Sequence, residues 1–65
     1  MTYNQLRTYL KLNVGSRVNC IAAIHKYLNQ DKEYPLSESI KIYDESLMIT
    51  DIILNIKKLK KLWNL

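Results

Sequence analysis

The chain has 65 residues and a formal net charge of +4, with 48% hydrophobic residues, one glycine, one proline and one cysteine. A chain this short forms one domain at most, spanning 1–65, and its burial on folding only just offsets chain entropy, which excludes an enclosed active site. The apolar fraction argues against a disordered chain and favours a compact core or an obligate oligomer, and the lone Cys20 excludes an intramolecular disulfide framework.

Thr2-Tyr3-Asn4-Gln5 has the T-x-x-Q form of a capping box, and Tyr3, Leu6, Tyr9 and Leu10 follow at helical spacing. A first helix over 3–12 is expected. Asn13-Val14-Gly15-Ser16 is the only glycine-containing break, with Gly15 suited to a left-handed turn and Ser16 to an N-cap. A second helix over 17–29 follows. Its expected apolar stripe is Val18, Ile21, Ala22, His25 and Leu28, widened by Ile24, with Arg17, Asn19, Ala23 and Lys26 facing outward. The polar stretch Gln30 to Pro35 reads as the second connection.

From Ser37, a suitable cap, the pattern predicts one long third helix over 38–62, giving an all-α three-helix bundle. Ile42, Ile49, Ile52, Ile56, Leu59 and Trp63 recur at steps of about three and four, with the heptad broken at Glu45, while Leu47, Met48, Ile53, Leu54 and Leu62 make other faces apolar too. Such a helix is either gripped by the first two or paired with its copy in a homodimer. The second case makes Ile49, Ile52, Ile56, Leu59 and Trp63 the self-association residues.

The charges fall in three blocks: residues 1–30 sum to +4 with no acid, 31–51 to −4 with all six acids, and 52–65 to +4 with no acid. Acids early and lysines late along the third helix suit its macrodipole. That cannot account for Arg7, Lys11, Arg17 and Lys26, which lie on two helices with no acid at either start. Segregated cations of this kind point to a polyanion or an acidic partner.

Residues 3–28 resemble a helix-turn-helix, in which the second helix enters the major groove and its first turn meets base edges. Arg17 and Asn19 fall in that turn and suit bidentate base contacts, with Arg7, Lys11 and Lys26 available to phosphates. The match departs from the usual pattern at Arg7, which stands where a small residue normally lets the helices approach, and in a turn about one residue too long. A secondary cationic surface is expected from Lys57, Lys58, Lys60 and Lys61, interleaved with Leu59, Leu62 and Trp63.

Enzyme chemistry has no support in the sequence, and neither a cofactor nor a metal site is expected. His25 stands alone on an apolar stripe, a single His and a single Cys cannot make a zinc site unaided, and the adjacent Asp44 and Glu45 splay by about 100° on a helix. The expectation is a small basic DNA-binding regulator. Its rival is a protein-binding modulator or inhibitor of phage or plasmid type that docks on an acidic surface of a larger host protein, a membrane being the least favoured partner. One cysteine and no signal-peptide pattern lead us to expect a cytoplasmic location.

Overall fold

The T-x-x-Q motif folds as a full capping box: the Gln5 N–H donates to Thr2 Oγ1 at 3.2 Å, and the Thr2 N–H donates to Gln5 Oε1 at 2.8 Å. It starts the first of four helices in the computed structural model, which describes residues 1–63. These are α1 (Tyr3–Leu12), α2 (Arg17–Leu28), α3 (Leu36–Asp44) and α4 (Ile49–Trp63). The described residues are all helix and connection, and each helix packs against two others in the ring α1–α2–α3–α4.

The expected long third helix is therefore two helices. Spanning 38–62 at 1.5 Å per residue it would be roughly 37 Å long, whereas the longest dimension of the molecule is 32 Å. No glycine or proline makes the break. Instead Ser46 Oγ donates to the Ile42 carbonyl at 2.6 Å and accepts from Asn55 Nδ2 at 2.9 Å, tying the end of α3 to the second turn of α4. Asp51 completes it, because its Oδ2 accepts the N–H groups of Leu47 at 3.2 Å and Met48 at 3.1 Å. That is the acidic half of a capping box, reaching back from the first turn of α4.

The core gathers Leu6 and Leu10 of α1, Cys20, Ala23, Ile24 and Leu28 of α2, Tyr34, Ile42 of α3, and Ile52, Ile53, Ile56 and Leu59 of α4. Of the expected α2 stripe, Ile21, Ile24 and Leu28 are buried and His25 is half-buried, but the face is turned at its edge: Val18 is 76% exposed and Ala22 is exposed, whereas Cys20 and Ala23 are buried. Small side chains at Ala23 and Cys20, with the fully buried Ser39 on α3, allow close approach between neighbouring helices. The third helix begins at Leu36 behind Pro35, so Ser37 lies inside it and does not cap it.

A polar knot closes the connection between α2 and α3. Asn29 Oδ1 accepts the Tyr34 N–H at 2.8 Å, which fixes its amide so that Nδ2 donates to the His25 carbonyl at 2.9 Å and faces His25 Nδ1 at 3.2 Å. His25 Nδ1 is thereby an acceptor, with Ser39 Oγ 3.3 Å away. The lone histidine is half-buried at its place on α2. Gly15 has φ of 93°, the only positive φ among the described residues, and gives the turn between α1 and α2 the left-handed step expected of it.

Candidate functional site

Packing of α1 against α4 brings together the two cationic blocks that the sequence holds apart. Between these helices runs a groove of about 280 Å³ whose lining includes Tyr3, Arg7, Ile49, Ile53, Leu54 and Lys57. Lys57 Nζ lies 5.6 Å from the Tyr3 ring centroid, a cation–π contact that holds the ammonium across from α1. Leu54 is 54% exposed and Thr50 joins Ile49 and Ile53 in the lining, so the groove is mixed, with more apolar than polar surface. Tyr3, Arg7 and Lys11 recur at four-residue steps on α1, and Leu54, Lys57 and Lys61 at steps of three and four on α4. Neither Arg7, Lys11, Lys57 nor Lys61 makes an ion pair among the described residues.

The expected base-reading residues are engaged elsewhere. Arg17 donates from Nη2 to Asp44 Oδ2 at 2.8 Å and from Nε to Oδ1 at 3.2 Å. This hydrogen bond, and then the Asp44 charge, raise the pKa of the guanidinium above its ordinary value. Asn19 Nδ2 donates to Asn13 Oδ1 at 3.0 Å, against the turn. Lys26 is exposed on the same side of α2 as Val18, Asn19 and Ala22, a strip with no acid of its own.

The four late lysines do not form one surface. Lys57 faces α1, whereas Lys58 lines a groove towards α3 with Glu38, Lys41 and Glu45. Lys60 Nζ lies 4.7 Å from the Tyr27 ring centroid and 3.3 Å from Asp31 Oδ2. Lys61 is exposed. The stripe reserved for a self-paired helix is largely occupied within one chain: Ile52, Ile56 and Leu59 are buried in the core and Ile49 is partly buried against it. Trp63 packs on Tyr34 with ring centroids 5.1 Å apart, and its carbonyl accepts from Lys32 Nζ.

Sequence reasoning missed the part played by Tyr3, Leu54 and Asp51. The four-residue step from Tyr3 to Arg7 was a usable signal; the union of α1 with α4 had none, because it follows from the break after Asp44. The described residues include no cluster of metal-ligating side chains and no helix long and apolar enough to cross a membrane. No protein-family model matches the chain, and neither a curated protein nor a solved structure matches it.

Proposed function

We propose that the chain is a protein-binding modulator that docks an acidic, amphipathic segment of a larger protein on its α1/α4 face. The observation that carries this is the pairing of Arg7 and Lys57 across a groove lined by Ile49, Ile53 and Leu54. The lining adds Thr50 and more apolar than polar surface to these two cations; a phosphate backbone would use the cations alone, whereas a helix alternating carboxylates with leucines meets both features. The test is fluorescence anisotropy with a labelled helical peptide of glutamate and leucine, at low and near-physiological salt. Saturable binding that persists at the higher salt and weakens at least about tenfold in R7E/K57E supports the proposal. Absence of binding, or binding indifferent to that double reversal, rejects it.

A second reading, a DNA-binding regulator, is favoured by the outer face of α2, where Val18, Asn19, Ala22 and Lys26 are exposed together. Small apolar groups suit thymine methyls, Asn suits adenine, and Lys suits phosphate. Arg17 and Asn19 reach bases on this reading only by leaving Asp44 and Asn13. Sequence-preferring binding to duplex DNA that survives near-physiological salt and is relaxed by Asn19→Ala decides for it; weak binding abolished by salt decides against.

A further inference from the structure

The register of α1 against α4 sets their cations in one row. Lys57, late in α4, makes its cation–π contact with Tyr3 at the start of α1, whereas Leu10, late in α1, lines a cavity with Ile49 and Ile52 at the start of α4. The two helices therefore run antiparallel. Arg7, one turn on from Tyr3, and Ile53, one turn before Lys57, share the groove lining, as that register requires. At about 1.5 Å per residue, and measured from the level of Tyr3 and Lys57, Arg7 stands about 6 Å along the groove and Lys11 about 12 Å, while Lys61 stands about 6 Å in the opposite direction. Arg7 and Lys57 line the groove; exposed Lys11 and Lys61 continue the same two stripes beyond its ends. The row thus places a cation about every 6 Å over roughly 18 Å.

We infer that the segment docked on this face is an α-helix with one carboxylate on each of four successive turns, its outer two carboxylates meeting Lys11 and Lys61. This rests on the reading that the groove binds an acidic amphipathic segment, and it adds the length and charge spacing that such a segment needs. The pitch of an α-helix is about 5.4 Å, so carboxylates three or four residues apart on one face recur at nearly the interval of the cations. An extended chain reaches a similar interval at every second residue, but it turns the residues in between away from the groove. A helix lays an apolar stripe beside the acidic one, against Ile49, Ile53 and Leu54. The described residues also offer no sheet edge on which an extended strand could pair. A single-stranded nucleic acid would supply the charge without that stripe, and the aromatic ring of the lining, that of Tyr3, already carries Lys57 against it.

The test is fluorescence anisotropy of the full chain with two labelled peptides of identical composition, each of roughly 18 residues, or five turns, and helical by circular dichroism. One carries four glutamates at steps of three and four on a single stripe beside leucines; the other spreads the same glutamates round the helix. Measurement at near-physiological salt, where the Debye length is about 8 Å, makes the reading one of contact more than of net charge. The expected result is that the striped peptide binds at least about tenfold tighter, and that K11E/K61E removes most of this advantage while hardly changing the affinity for the other peptide. Both side chains are exposed, so the helical circular dichroism of the variant should match that of the parent chain. Equal affinity for the two peptides, or a K11E/K61E loss that is the same for both, overturns the inference and leaves standing the broader reading, which R7E/K57E tests. Tighter binding of oligothymidylate than of the striped peptide overturns it as well. Absence of binding by either peptide overturns the inference and the broader reading together.

Discussion

Arg17 is the first residue of α2 and Asp44 the last of α3, and their ion pair joins two charges that each stand at the unfavourable end of their own helix. A cation at a helix N-terminus and an anion at a C-terminus both oppose the macrodipole. Together they cancel, and the pair joins α2 to α3 through residues 27 positions apart whose side chains remain about half exposed.

From this pair we expect Arg17→Ala and Asp44→Ala to change the urea midpoint little when made singly. Their coupling in a double-mutant cycle should be measurable at low salt and lost near about 1 M salt, where the Debye length is about 3 Å. A coupling that persists at high salt would mean that the pair is far better shielded than its exposure indicates.

Asp51 should matter more. Asp51→Ala removes the acceptor of two backbone N–H groups at the start of α4 and should lower stability by about 1 kcal/mol in urea unfolding, with Asp51→Asn intermediate. An unchanged midpoint for Asp51→Ala would show that the α3–α4 break is held without this cap.

Ile24 is fully buried among residues of the core. Ile24→Val should destabilise by about 0.5–1.5 kcal/mol and Ile24→Ala by about 2–5 kcal/mol. In a domain this small the second value approaches the whole folding free energy, so loss of cooperative melting is the expected reading for Ile24→Ala.

Burial pushes the Cys20 thiol up from its ordinary pKa of 9.0. The folded state therefore keeps its proton where the unfolded chain has begun to lose it. Its contribution is fully present below pH 9.0 and falls away as pH rises through the higher folded value. Cys20 should also react slowly with a thiol reagent in buffer and quickly in denaturant. Fast reaction under native conditions would contradict its 3% exposure.

What the sequence disclosed depended on whether the signal was local. The Thr2–Gln5 box, the Gly15 turn and the Pro35 boundary are short-range devices written in characteristic residues, and α1 and the start of α2 follow them. The α3–α4 break is made by Ser46, Asn55 and Asp51 contacting groups three to nine residues away, with helix-permitting residues between them, so periodicity ran straight through it. Only the interrupted heptad at Glu45 hinted at it. The turn of α2 was hidden for a different reason: apolar residues run almost round the helix, so Val18 and Ala22 competed with Cys20 and Ala23 for the edge of the buried face. Among the candidate residues, the lack of nearby acids was the same for Arg7, Lys11 and Arg17 and did not separate the first two, which make no ion pair among the described residues, from the third. The capture of Arg17 by Asp44, 27 positions away, had no local signal.

Since α1 and α4 lie at opposite ends of the chain, their shared groove exists only while the ring of four helices is closed. An unfolded chain offers the same cations scattered along a coil. Any partner that needs the groove therefore binds the native state alone and raises its population by mass action, by about 2.7 kcal/mol at a ligand concentration a hundred times Kd. For a domain of 65 residues that increment is a sizeable share of its folding free energy, so the melting temperature itself should report occupancy.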